Sequence, residues 1–408
     1  MTNYVPRELT DSIEKALNQM PVVILSGLRQ TGKSTLLLHD PRFSGRKYIS
    51  LDDFAVLTAA NQNPEGLLQN EEAITLDEAQ KCHDLLTVIK IIVDRKRKHG
   101  RFLLSGSANL ALLGHVTETL AGRAIYLTLQ PFSRREIYRR IQKPPFLKEF
   151  IEKQMISPEE RMEPIAPNEI LLGGMPLVCG ESLDNAWTWF KGYEQTYIER
   201  DVRQLSQITD LVSFRTLAQL AALRTGQIFK ISELARDAKL NAATASRYLH
   251  LLETSFLIRR IPPFLKNRSQ RLIKSPKLYV TDSGLACYLA GVRSLDPLAD
   301  ETMLGALMET YVVQNLTAIL EAHVPDAQVF FWNEQGRYEV DLVIELNRKV
   351  IAIETKSGTR WDRGDLAGLH AFMERTPQCV ASVLAYNGTE TVSLGPKLWA
   401  IPIGRLLS

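Results

Sequence analysis

The chain has little of what marks a secreted or membrane-inserted protein. It holds only four cysteines in 408 residues, Cys82, Cys179, Cys287 and Cys379, and no two of them form a C-x-x-C pair. That argues against a disulfide scaffold or a zinc ribbon and fits a reduced compartment, with the thiols acting as small buried apolar groups. The opening Met1-Thr2-Asn3-Tyr4-Val5-Pro6-Arg7-Glu8 has neither the basic start nor the apolar stretch of a secretory leader. No window reaches the charge-free apolar length that a bilayer crossing needs, so a cytoplasmic protein without a membrane partner is expected. Seven dispersed histidines do not suggest a Ser-His-Asp or Cys-His centre. The net charge is only +3, so any nucleic-acid surface would have to be local. Internal repeats and low-complexity segments are absent. Hydrophobic residues make up 45% and charged residues 23%, a globular balance over a length that suggests about two to three domains.

What is present begins with Val22-Val23-Ile24-Leu25-Ser26, an apolar run that leads into Gly27-Leu28-Arg29-Gln30-Thr31-Gly32-Lys33-Ser34-Thr35. The run fits G-x-x-x-x-G-K-[ST] between a strand and a helix, the context a phosphate-binding loop requires. Gly27 and Gly32 permit backbone angles that turn successive N–H groups toward one point, and the helix start adds its positive dipole end. Lys33 suits the β- and γ-phosphates, and the Ser34 hydroxyl suits Mg²⁺. Residues 27–35 are therefore the expected nucleotide cradle. A second strand is expected over 47–53. A third, Ile74-Thr75-Leu76-Asp77-Glu78, ends in two carboxylates: Asp77 to hold Mg²⁺ through its water shell and Glu78 to polarise the attacking water. Further strands are expected at 101–108 and 125–129. The first of these ends in Ser105 and Ser107, either of which could sense the γ-phosphate at the carboxyl edge of the sheet.

This order of motifs, with Leu120-Ala121-Gly122-Arg123 and Leu129-Gln130-Pro131-Phe132-Ser133-x-x-Glu136 after it, resembles the prokaryotic AAA-type ATPases that carry a C-terminal domain of unknown function. The resemblance implies ATP as the nucleotide and Ser107 in the sensor-1 position. It also implies Arg123 as an arginine finger offered to a neighbouring subunit, and hence a homo-oligomer. It further implies that residues 136–210 form a helical lid.

From Phe214 the pattern changes. Ile231–Ala238 and Ala242–Leu252 read as two short helices joined by Leu240-Asn241, with Ser232 as a cap of the first. Strand-like Phe256–Ile261 and Leu278–Val280 follow, which is helix-turn-helix patterning with the wings of a winged helix. Between Glu253 and Asp282 there is no acidic residue, while Arg259, Arg260, Lys266, Arg268, Arg271, Lys274 and Lys277 all fall there. With Arg247 on the second helix, this strip is the expected DNA-binding surface; the other reading is a winged helix used for protein contact or to hold the lid.

Gly305–Val313 opens a long amphipathic helix carrying Glu309. Strands are expected at 329–332, 338–344 and 350–356, then a helix around 366–373 and a strand at 380–384. Glu354 and Lys356 are two apart on one strand and so share a face, and Asp341 on the neighbouring strand can meet them. The order and the trio Asp341, Glu354, Lys356 resemble the core of PD-(D/E)xK nucleases, with Glu309 as the extra acidic residue. That resemblance implies Mg²⁺ held by Asp341, Glu354 and Glu309, with Lys356 as a catalytic residue beside the attacking water. The other reading is a nuclease fold kept for DNA binding or assembly. Glu339 and Glu345 read as solvated strand positions.

The expected fold is thus α/β. A P-loop NTPase parallel sheet (1–135) is followed by the helical lid (136–210), a winged-helix domain (211–290) and an α/β PD-(D/E)xK nuclease-like domain (291–408). The expected function is an ATPase that remodels or processes DNA, branched or recombination intermediates by resemblance, with Mg-dependent endonuclease activity left open. The alternative is a nucleotide-controlled switch or branch-migration motor whose nuclease-like domain does not cut.

Overall fold

The structure is a computed structural model describing residues 4–69, 72–106, 120–154, 156, 162–201, 210–271, 273–295 and 301–408; of residues 198–201 only the backbone is described. Five short strands open it: β1 (Val22–Ser26), β2 (Lys47–Ser50), β3 (Ile74–Asp77), β4 (Phe102–Ser105) and β5 (Ala124–Thr128). They form one sheet in the order β2-β3-β4-β1-β5, parallel throughout. Every residue of β1, β3 and β4 is buried, because helices cover both faces of the sheet, and such strands read as apolar runs rather than alternations. The expected extent of the second strand was too long: it ends at Ser50, and Asp53 instead caps the helix Phe54–Gln62 by accepting from the amides of Ala55 and Val56.

The middle of the chain contains the helix Leu183–Tyr193, then Leu211–Leu223, Ile231–Asp237 and Ala242–Thr254. Three antiparallel strands accompany the last three helices: β6 (Gln227–Ile228), β7 (Ile258–Ile261) and β8 (Lys277–Val280), with β8 in the centre. Asn241 caps Ala242–Thr254 through the Thr244 amide, whereas Ile231–Asp237 starts at Lys230 without a side-chain cap, so Ser232 does not cap it.

The C-terminal sheet has six strands: β9 (Gln328–Glu334), β10 (Tyr338–Leu346), β11 (Lys349–Lys356), β12 (Cys379–Tyr386), β13 (Val392–Gly395) and β14 (Leu398–Pro402). Their order is β13-β14-β12-β11-β10-β9. β9 to β11 pair antiparallel, and β11, β12 and β14 pair parallel.

The helix Glu301–His323 differs from the amphipathic expectation. Residues 307–317 are all buried, because the helix threads between the C-terminal sheet and the middle module. By length and composition it could cross a bilayer, but 72% of its apolar window is buried in the protein, which makes it a core helix. One continuous apolar cluster runs from Leu147 to Leu407 and reaches Leu28 in the glycine loop. The segments expected as lid, winged helix and C-terminal domain therefore share a core. The parallel sheet β1–β5 keeps separate clusters on its two faces. All four thiols are unpaired; Cys82, Cys287 and Cys379 are buried and Cys179 is half-buried.

Candidate functional site

Because β1, β3 and β4 are parallel neighbours, their last residues, Ser26, Asp77 and Ser105, end along one edge of the sheet. The glycine loop leaves β1 there. Gly27 has φ +136°, and a Cβ on it would stand 2.4 Å from the Leu129 carbonyl oxygen, so only glycine fits. Gly32, at φ +90°, turns the chain into the helix Lys33–His39. The Lys33 side chain is buried and curls back over the loop, its Nζ donating to the carbonyls of Gly27 (3.1 Å) and Leu28 (2.9 Å). Burial brings its pKa down to about 8, opposed by the nearby Glu78 and Asp77 carboxylates.

Asp77 is fixed from two sides: Tyr48 Oη donates to Oδ2 at 2.6 Å, and Ser105 Oγ donates to Oδ1. The Glu78 amide also donates to Oδ1, at 3.1 Å. Glu78 sits in the left-handed region at φ 56°, a costly setting for a side-chain residue and a common one at working sites. Burial and the neighbouring Asp77 and Asp52 raise its pKa, and Gln80 Nε2 donates to its Oε2. These groups fit a magnesium nucleotide. They comprise a desolvated ammonium, a hydroxyl at a helix start, an anchored carboxylate, and a second carboxylate with raised proton affinity.

Sequence reasoning missed what holds the loop from behind. Arg7 is buried; it donates to Thr31 O (2.8 Å), Gln130 O (2.6 Å) and Glu136 Oε1 (3.0 Å), and its guanidinium lies over the Phe132 ring. Glu136 is itself the far end of a capping box with Ser133. The Ser133-x-x-Glu136 spacing was visible in the sequence as that signal, and its role is to tie the N-terminus to the loop. Tyr193 Oη donates to Arg29 O at 3.3 Å, so the helix Leu183–Tyr193 also touches the loop.

Two further expectations fall differently. Ser107 lies outside the described residues; Ser105 is the serine that meets Asp77. Arg123 precedes β5 at the opposite end of the sheet from its own glycine loop, and it is held by Asp94 at 2.6 and 2.9 Å. It cannot serve its own loop.

The C-terminal carboxylates do converge. Asp341 Oδ2 accepts from the Thr355 amide at 2.9 Å, and Glu354 Oε2 accepts from the Asp341 amide at 3.3 Å. Burial and Asp341 hold the Glu354 carboxyl well above its usual range and push Glu309 up to about 7. The expected metal does not fit here, because a cation of the chain already stands among the oxygens. Lys277 Nζ is 2.9 Å from Glu309 Oε1, 3.0 Å from Asp341 Oδ1 and 2.5 Å from Glu339 Oε1. Among the described residues, no group of three or more His, Cys, Asp or Glu side chains is arranged to hold a metal ion. Lys356 pairs with Asp365 at 3.0 Å, and its charge still acts on Glu354 and Asp341. Glu339 is a partner of Lys277, and Glu345 takes Arg271 at 2.6 Å, so neither is merely solvated.

The basic strip is correspondingly thinner than its sequence. Lys277 and Arg271 are buried, and Arg271 lies over Phe264 and Phe330. Arg260 is paired with Glu253, and Arg259 bonds Thr317 at 3.1 Å with Glu321 at 3.6 Å. Lys277 and Arg271 are thus corrected from DNA contacts to internal ones, while Arg259 and Arg260 are half-buried and hold acidic partners. Arg247, Lys266, Arg268 and Lys274 remain exposed.

Residues 19–138 match the family model of an AAA domain, residues 166–296 a domain of unknown function (DUF8612) and residues 304–406 another (DUF4143). Uncharacterized proteins of Mycobacterium tuberculosis and Mycobacterium bovis are each 29% identical over 98% of this chain and 84% of their own length. One from Haemophilus influenzae is 21% identical over 66% of this chain and 69% of its own. Among solved structures, the Walker-type ATPase of Pyrococcus abyssi aligns with 70% of this chain and 96% of its own, at 17% identity and TM-score 0.45. A RuvB variant of Thermotoga maritima aligns with 66% of this chain and 96% of its own, at 16% identity and TM-score 0.29.

Proposed function

We propose that this AAA-type P-loop ATPase binds ATP with Mg²⁺ at residues 27–35 and hydrolyses it. The observation that carries this reading is the meeting of Lys33, Asp77 and Glu78 at the carboxyl edge of β1 and β3, with Asp77 anchored by Tyr48 and Ser105. When bound, magnesium ATP supplies the strained phosphoanhydride and the divalent charge that offsets its oxygens. Lys33 then leaves the Gly27 and Leu28 carbonyls for the terminal phosphates. Ser34 and Asp77 are the residues that would hold the ion. Glu78 takes the proton of the attacking water, and its raised pKa makes it a stronger base than an ordinary glutamate. Turnover of ATP by the purified chain tests this. Wild type should release phosphate and Lys33→Ala should not; equal rates would end the assignment. Arg123 belongs to the same proposal as a residue offered in trans. It would leave Asp94 to reach a neighbour's nucleotide, so hydrolysis should rise with protein concentration.

A second part concerns DNA. The helix Ala242–Thr254 buries Ala245, Tyr248, Leu249 and Leu252 and leaves Ala243, Ser246, Arg247 and His250 exposed. With the chain order helix, β6, helix, helix, β7, β8 and the three strands in one antiparallel sheet, this module supports a winged-helix reading in which that face enters a groove. Phosphate contacts would come from Arg247, Lys266, Arg268 and Lys274. In duplex binding followed against salt, Arg247→Glu with Lys274→Glu should flatten the log–log slope by about 2, roughly 0.9 for each lost phosphate contact. An unchanged slope would remove DNA from the proposal and leave protein contact.

A further inference from the structure

The carboxylates of the nuclease-like strand pair have the sequence of a metal site and the surroundings of an ion pair. Lys277 and Tyr279 are two apart on β8 and therefore share a face, and both reach Glu309: the ammonium at 2.9 Å and the phenol by a hydrogen bond to the same oxygen. β8 is the central strand of its sheet, paired with β6 on one side and β7 on the other, so the lysine comes from a fixed scaffold. Its side chain is 2% exposed. A magnesium ion needs oxygen ligands at about 2.0–2.1 Å in near-octahedral order. The point between Asp341 Oδ1 and Glu309 Oε1 where such an ion would sit is where Nζ stands, and a second cation there would meet the lysine at contact distance. The backbone closes the other side: the Asp341 and Thr355 amides occupy oxygens of Glu354 and Asp341.

We infer that Lys277 is the built-in cation of this cluster, taking the place of a divalent ion and locking the middle module to the C-terminal sheet. The site is thus a permanent ionic joint rather than a cutting centre. Neighbouring contacts agree with a joint. The Phe331 amide donates to Pro262 O at 3.1 Å, the Phe264 amide donates to Phe331 O at 2.5 Å, and Thr225 and Thr310 share a hydrogen bond at 2.7 Å. Lys277 lies on one module and all three of its carboxylate partners on the other, so parting the modules would leave charges buried and unpaired. Nucleotide-driven movement must then carry residues 211–408 as one body. Presentation of DNA from one module to Asp341, Glu354 and Lys356 in the other is not available to this chain.

Mn²⁺ binding to the full nucleotide-free chain, followed by electron paramagnetic resonance, tests the joint. Wild type should show no Mn²⁺ that Asp341→Asn removes. Lys277→Met should gain a bound ion, and Asp341→Asn added to it should abolish that ion. Thermal unfolding gives a readout that does not depend on Lys277→Met folding. Mg²⁺ or Mn²⁺ should not raise the melting temperature of the nucleotide-free wild type, and Glu309→Gln should lower it. The inference is overturned if wild type binds a Mn²⁺ ion that Asp341→Asn removes, or if divalent cation raises its melting temperature and Asp341→Asn cancels the rise. It is equally overturned if Lys277→Met folds and takes up no ion. None of these outcomes bears on ATP hydrolysis by wild type.

Discussion

Glu78→Gln should leave ATP bound and reduce its hydrolysis by roughly 10²–10⁴-fold, the range expected when a positioned general base is lost. Asp77 stays anchored by Tyr48 and Ser105, and Lys33 is untouched, so the binding half of the site survives. The amide of glutamine keeps the size of the side chain and its contact to Gln80, but it cannot take a proton. The pH profile of the wild type gives an independent check. Burial and the Asp77 and Asp52 carboxylates raise the Glu78 pKa, so protonation should switch turnover off at a pH above the ordinary glutamate value of 4.5. Turnover is thus expected to fall as pH falls through that raised value. A variant that hydrolyses ATP at the wild-type rate would remove Glu78 from the chemistry.

The second large effect is on stability. Gly174→Ala should destabilise the protein by about 3–5 kcal/mol, in the range reserved for steric and backbone failures. A Cβ there would stand 2.3 Å from the Phe132 carbonyl oxygen and 2.5 Å from Gln314 Nε2. Neither neighbour can withdraw cheaply. The Phe132 amide donates to Gly174 O at 2.7 Å, the Gly174 amide donates to Asp282 Oδ2 at 2.7 Å, and Gln314 Nε2 donates to the same carboxylate at 3.3 Å. The point joins the end of the ATPase segment, the segment before Leu183, the middle module and the long helix, so one methyl group strains four elements. Thermal unfolding should shift down by roughly 4–6 °C. Gly122→Ala is the control. Its φ is +72°, yet a Cβ there meets nothing within 4 Å, so it should cost only about 1–2 kcal/mol for the left-handed backbone. Equal shifts in the two variants would contradict the steric account.

The nucleotide edge was legible because its chemistry is local. Gly27 to Thr35 and Ile74 to Glu78 are each continuous, and each names its own flanking strand. The parallel sheet followed from buried apolar runs. Asp341 and Glu354 were also found, since adjacent strands carry them. What the sequence hid was pairing across long separations. Lys277 and Arg271 look like members of a basic strip because their neighbours in sequence carry no acid. Their partners, Glu309, Glu339, Asp341 and Glu345, arrive from beyond residue 300. Arg7 was equally mute, because the groups it holds are mostly backbone carbonyls. The strands β13 and β14 went unread because they are short and bounded by glycine and proline. The long helix read as amphipathic because burial on every side leaves no clean period.

The reading that residues 27–35 hold ATP through Lys33 is tested most directly by calorimetric titration of ATP into wild type and Lys33→Ala. In the free protein burial places the Lys33 pKa at about 8, so near pH 9 most of the ammonium is lost and phosphate binding must restore it. Wild type should bind ATP more weakly as pH rises through 8, and near pH 9 the enthalpy measured in buffers of different ionisation heat should show proton uptake. Lys33→Ala should bind at least about 100-fold more weakly, a loss of roughly 2.7 kcal/mol, and show no such uptake. Equal affinity and equal proton uptake in the two proteins would contradict the assignment of the nucleotide to this loop.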